Sequence, residues 1–115
     1  MSWRVRVVVH RTRQAMRRRR SRLEHLRDVR QIEGFFHECP ASRWGDRCII
    51  GEIHLFRRTT QGTVIHECAH AAVWLACVLR LDLNHGWGNE TFAQTIEHIT
   101  DGTLHGMTMN FRRQK

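Results

Sequence analysis

The chain of 115 residues has no Tyr, one Pro (Pro40) and one Lys (Lys115). No apolar stretch approaches the roughly 20 residues of a membrane-spanning helix, which argues against a membrane partner. The only early apolar run, Val7-Val8-Val9, is too short for the core of a secretory leader and is flanked by Arg6 and Arg11. A cytoplasmic location is therefore expected, with Cys39, Cys48, Cys68 and Cys77 as reduced thiols rather than a disulfide framework. The lack of Tyr leaves any site on this chain without a phenol donor. There is no internal repeat, and low complexity is confined to Arg17–Arg20.

What the chain does have is positive charge, almost all of it Arg. The formal net charge is +8, and 11 Arg lie between Arg4 and Arg30. Such a patch attracts polyanions, including nucleic acid and acidic protein surfaces, through long-range steering that weakens with salt. Hydrophobic residues at 41% and charged residues at 26% are ordinary for a globular protein. The length suits one domain spanning residues 1–115.

Trp3, Val5, Val7 and Val9 alternate with more polar neighbours, a period-two pattern that predicts a half-buried strand. Thr12 is a candidate cap for a basic helix over Gln14 to about Val29, which has neither Gly nor Pro. Gly34-Phe35-Phe36-His37 reads as a short strand stopping at Cys39-Pro40, followed by a turn over Ala41 to Asp46. Arg47 to Arg58 is a clearer strand, with Ile49, Gly51, Ile53 and Leu55 on one face and Ile50, Glu52, His54 and Phe56 on the other. Its mixed second face suggests that it borders a site. From Thr63 to about Leu81 apolar residues surround nearly the whole circumference, the pattern of a buried central helix. Asn89 is read as the N-cap of a last helix with Phe92, Ile96, Ile99 and Thr103 on its core face. Met107 to Phe111 would add a short fourth strand or trail off.

His66 and His70 stand four residues apart, so on a helix both imidazoles reach one metal ion from the same face. Glu67 projects toward the same side and can take a proton from water activated by that metal. Chance alone would place the pattern in a chain of this composition with a probability of about 0.04, so its surroundings count. Three polar residues interrupt an apolar helix, and buried ionisable groups are costly unless paired or bound to metal. Catalytic zinc ordinarily takes three protein ligands and keeps a fourth position open. Asn89-Glu90 offers the third.

His66-Glu67-x-x-His70, nineteen residues and then Glu90 resembles the gluzincin metallopeptidases of the thermolysin type. The likeness to short gluzincin-like proteins of phages and prophages runs from Ile50-Gly51-Glu52-Ile53-His54-Leu55 through Val64-Ile65-His66-Glu67 to Asn89-Glu90-Thr91-Phe92-Ala93. It implies an α+β, zincin-like domain. A three- or four-stranded mixed sheet would pack on the helix bearing the motif, with a basic N-terminal helix and a C-terminal helix. It further implies a Zn²⁺ cofactor on His66, His70 and Glu90, with Glu67 as catalytic base. A peptide or protein substrate would dock along an edge strand carrying Ile50, Glu52, His54 and Phe56, in the host cytoplasm if the protein is phage-encoded. Two departures stand out. Gln94 occupies the position where such enzymes often carry Asp, and without Tyr the oxyanion donor must be His or Arg, with His54, His85, His98 and His105 as candidates. Glu97 is the alternative third ligand. The rival class is a basic phage protein binding nucleic acid or an acidic host protein, with a structural or vestigial zinc site.

Overall fold

A computed structural model describes residues 3–24, 32–40, 48–84 and 86–113. The elements are β1 (Arg4–His10), α1 (Arg13–Glu24), β2 (Phe35–Glu38), β3 (Ile49–Phe56), α2 (Gln61–Leu79) and α3 (Gly86–Arg113). They form a small α+β fold with a three-stranded mixed sheet in the order β1-β3-β2. β1 runs parallel to β3, and β2 antiparallel to it.

The alternation in β1 and β3 divides two cores between the faces of the sheet. Ile53 and Leu55 pack with Val64, Cys68, Ala71 and Ala72 of α2 and Ile99 of α3, and Val5 and Val7 join from β1. On the opposite face Phe56 and Phe35 pack against Met16 of α1. Trp74 ties α2 to the central strand, its Nε1 donating to Ile50 O at 3.0 Å.

Local chemistry sets the helix ends. Thr12 Oγ1 accepts from Ala15 N at 3.1 Å at the start of α1. Thr60, in extended conformation, caps α2 by accepting from Thr63 N at 3.2 Å. Arg80 ends α2 in the left-handed region (φ 55°), its N–H directed to Ala76 O and Cys77 O. Leu81 N also donates to Ala76 O at 3.0 Å, the wrapped ending that satisfies the last carbonyls.

Several expectations change. Met107–Phe111 continues α3, so no fourth strand forms there. Asn89 lies inside α3, which begins at Gly86, and its Nδ2 donates to Leu83 O at 3.3 Å instead of its side chain capping the helix start. α2 is not buried all round, since Ile65, Val73 and Leu79 are 45%, 49% and 46% exposed. By length and composition alone α2, with a mean hydropathy of 1.4, is long and apolar enough to cross a membrane. Its buried stripe is occupied by the sheet and α3, and three ionisable residues lie at mid-length. The far end of the basic helix, the turn over Ala41 to Asp46 and His85 lie outside the described residues.

Candidate metal centre

The sheet order moves the substrate edge. β3 is hydrogen-bonded on both sides, so Ile50, Glu52, His54 and Phe56 belong to a central strand and cannot pair with a docked peptide. Among the described residues, β2 is the edge strand of the sheet that lies beside α2. Apolar residues on both faces of β3 are the mark of this central position.

One turn of α2 separates His66 from His70, and their Nε2 atoms stand 3.1 Å apart, with the rings edge to face at 81°. Glu67 points into the same region, its Oε1 3.7 Å from His66 Nε2. Candidate ligand atoms of His66, Glu67 and His70 all lie within 4.8 Å of one another, and no other such group occurs among the described residues. The two His are exposed, whereas Glu67 is 5% exposed and its Oε2 has no hydrogen-bond partner. Burial raises the Glu67 pKa, and the positive fields of His66, His70 and Arg20 offset only part of that rise.

These residues fit a divalent transition metal. Two imidazole nitrogens at ordinary zinc distances in a tetrahedral site stand roughly 3.3 Å apart, close to the 3.1 Å spacing of the two Nε2 atoms. A buried carboxylate oxygen with no partner is the kind of group that a cation or its water satisfies.

The three residues open into a cleft of about 890 Å³ between α2 and a wall formed by α1, the segment leading into β2, and β2 itself. Arg20, Glu33, Gly34, Phe36 and Glu38 line that wall. Gly34 lies against the catalytic candidate: a Cβ there would stand 3.2 Å from Glu67 Cγ and 3.1 Å from Thr63 Cγ2. Salt bridges from Arg13 and Arg17 to Glu33, at 2.9 and 3.3 Å, fasten this segment to α1. No local pattern in the sequence marks these wall residues as part of a site, because they come to α2 from elements distant in the chain.

Other candidates lie elsewhere. Glu90 is exposed on α3, where Gln94 Nε2 donates to its Oε1 at 3.3 Å, and it is not part of the His66-Glu67-His70 group. Helix packing explains this. Cys68, between the two His in sequence, has Thr103 and Thr100 of α3 beside its thiol, and Glu90 lies about 15–20 Å further along α3 at ~1.5 Å per residue. Glu97 and Asp101 are exposed and likewise outside the group. His98 is exposed and packs edge-on against Trp3, with ring centroids 5.7 Å apart, and His105 is exposed on α3.

His54 is 1% exposed and faces α1, stacked on Phe35 with ring centroids 4.3 Å apart. Its Nε2 meets Glu52 Oε1 at 3.1 Å and its Nδ1 meets His10 Nε2 at 2.9 Å. It is a core histidine with both nitrogens satisfied rather than an oxyanion donor.

No protein-family model matches the chain, and no curated protein or solved structure is detectably similar to it.

Proposed function

We propose that the chain is a zinc-dependent peptidase built on the His66-Glu67-x-x-His70 motif. The observation that supports this most directly is the pair of Nε2 atoms 3.1 Å apart beside the unpartnered Oε2 of Glu67 at the floor of one cleft. His66 and His70 would hold Zn²⁺, which supplies Lewis-acid polarisation of a carbonyl and a water of pKa near 7.

Glu67 would accept a proton from water at Oε2 and return it to the leaving amine. Its desolvated setting suits this, because a carboxylate whose pKa is raised is a stronger base than an exposed one. An extended peptide would lie in the cleft along the edge strand β2, with backbone hydrogen bonds supplying affinity and the cleft selecting side chains. The third ligand expected of Glu90 is not in place, so the described residues offer two His with Glu67 alongside.

The test is E67Q in zinc-loaded protein. Zinc content should match wild type while hydrolysis of a quenched peptide library falls by at least about 10²-fold, the lower end of what general-base removal costs. Retained hydrolysis would remove Glu67 from the mechanism, and a wild-type protein without bound zinc after loading would remove the metal site.

A further inference from the structure

Peptide hydrolysis builds negative charge on the attacked carbonyl oxygen, and a site that stabilises it places a charged or strongly polar donor opposite the base. This chain has no Tyr. Of the expected His donors, His54 is sealed on the other face of the sheet, and His98 and His105 stand on α3 away from the cleft. Among the described residues lining the cleft, one side chain carries a permanent positive charge, and it is Arg20.

We infer that Arg20 is the anion-binding group of the cleft, the residue that meets a negatively charged oxygen of the bound substrate. This rests on the peptidase reading above. Arg20 reaches the cleft from α1, whose neighbouring Arg13 and Arg17 are bonded to Glu33; Arg17 Nε also donates to Ile32 O at 2.8 Å. α1 and the segment leading into β2 thus form one wall of the cleft, and Arg20, Gly34 and Glu67 all line it. The Arg20 guanidinium lies over Phe35, with Cζ 5.6 Å from the ring centroid, and Phe35 is in turn stacked on buried His54. This platform limits the directions in which the planar fork can point.

Arg20 does not quench the base. Its field is felt at Glu67, yet Glu67 Oε2 has no hydrogen-bond partner. A guanidinium stays charged at every relevant pH and offers several N–H groups, so it can serve an anion without joining the proton transfer. Two sources present such an oxygen: the tetrahedral centre formed by attack on the carbonyl, or a carboxylate of the peptide itself.

The experiment uses zinc-loaded wild type, R20Q and R20K. Calorimetry is performed with a dipeptide phosphonate, whose tetrahedral anion copies the attacked carbonyl, and with a blocked dipeptide ending in either a free carboxylate or an amide. R20Q should keep the zinc content and thermal unfolding of wild type while losing about 10²-fold in phosphonate affinity, comparable with removal of one oxyanion donor. R20K should recover part of that loss. A loss confined to the carboxylate-ended dipeptide, with the phosphonate unaffected, supports Arg20 as the anion-binding group and assigns the source to the substrate carboxylate. R20Q that binds every anionic probe as wild type does overturns the assignment and leaves the peptidase reading standing. Wild type that holds zinc but binds none of the probes overturns both.

Discussion

Gly34 and Glu67 meet so closely that a single methyl group on Gly34 would sit 3.2 Å from Glu67 Cγ. The contact joins the wall of the cleft to its floor, and it requires glycine for space. G34A should therefore crowd Glu67, Thr63 and Leu55 together. The expected cost is about 1 kcal/mol, the lower range for overpacking, read by urea unfolding. G51A is the severe counterpart, because its Cβ would fall 2.5 Å from the Phe36 ring and 2.7 Å from the His37 carbonyl oxygen. It should cost roughly 3 kcal/mol and loosen β2 from β3, visible as faster amide exchange in residues 35–38. Equal stability of G51A and wild type would contradict the β2–β3 packing.

Zinc affinity would separate the proposed ligands of α2 from the carboxylates of α3. H66A and H70A should each weaken zinc binding by more than about 100-fold, beyond what outer-shell substitutions cause. E90Q should leave it unchanged, because Glu90 stands apart from the His66-Glu67-His70 group. Competition titration with a chromophoric chelator measures all three. A large loss in E90Q would mean that α3 moves to deliver a ligand on metal binding.

The row of His10, buried His54 and Glu52 makes stability depend on pH. With Glu52 ionised, His54 Nε2 carries the proton donated to it, leaving Nδ1 to accept from His10 Nε2. Burial lowers the His54 pKa below 6.5 despite the opposing pull of Glu52, and burial with Arg19 and Arg22 lowers that of His10. Each folded value lies below its unfolded one, so the stability these groups contribute is fully present above pH ~6.5 and is lost as pH falls through the folded values. Burial would raise the Glu52 pKa, but its bonds from His54 and Arg6 outweigh that and lower it below 4.5. Its contribution is lost further into acid. Denaturation of H54Q at a series of pH values should give a flatter dependence just below pH ~6.5 than wild type. Identical slopes would remove His54 from the account.

Arg80 adopts φ 55° at the C-cap of α2, a conformation that suits glycine better than a residue with a Cβ. R80G should raise stability by roughly 0.5–1 kcal/mol, since relief of the left-handed strain exceeds the added freedom of the unfolded chain. Thermal unfolding of the pair checks the sign.

Much of this was legible in local patterns. Period-two alternation marked β1 and β3, and the run from Thr63 marked α2 to within two residues at either end. Thr12 was legible as a cap because its hydroxyl bonds a backbone N–H three residues on. Less legible were features that depend on neighbours far along the chain. Apolar residues on both faces of the 49–56 strand can mean a border on a site or a place in the middle of a sheet, and only pairing with β1 and β2 decides between them. Glu90 at its nineteen-residue interval satisfied a spacing rule, but the packing of Thr103 beside Cys68 carries it away from the histidines.

The sequence by itself determined that His66, Glu67 and His70 would share one face, because helical geometry brings residues one turn apart together whatever surrounds them. Tertiary structure alone decided what surrounds that face. It put the β2 edge and Gly34 against Glu67, turned Arg20 into the cleft, and sealed His54 on the far side of the sheet. Those placements follow from the order of strands and the packing of helices, which are set by contacts between residues distant in the chain and leave little trace in the spacing of near neighbours.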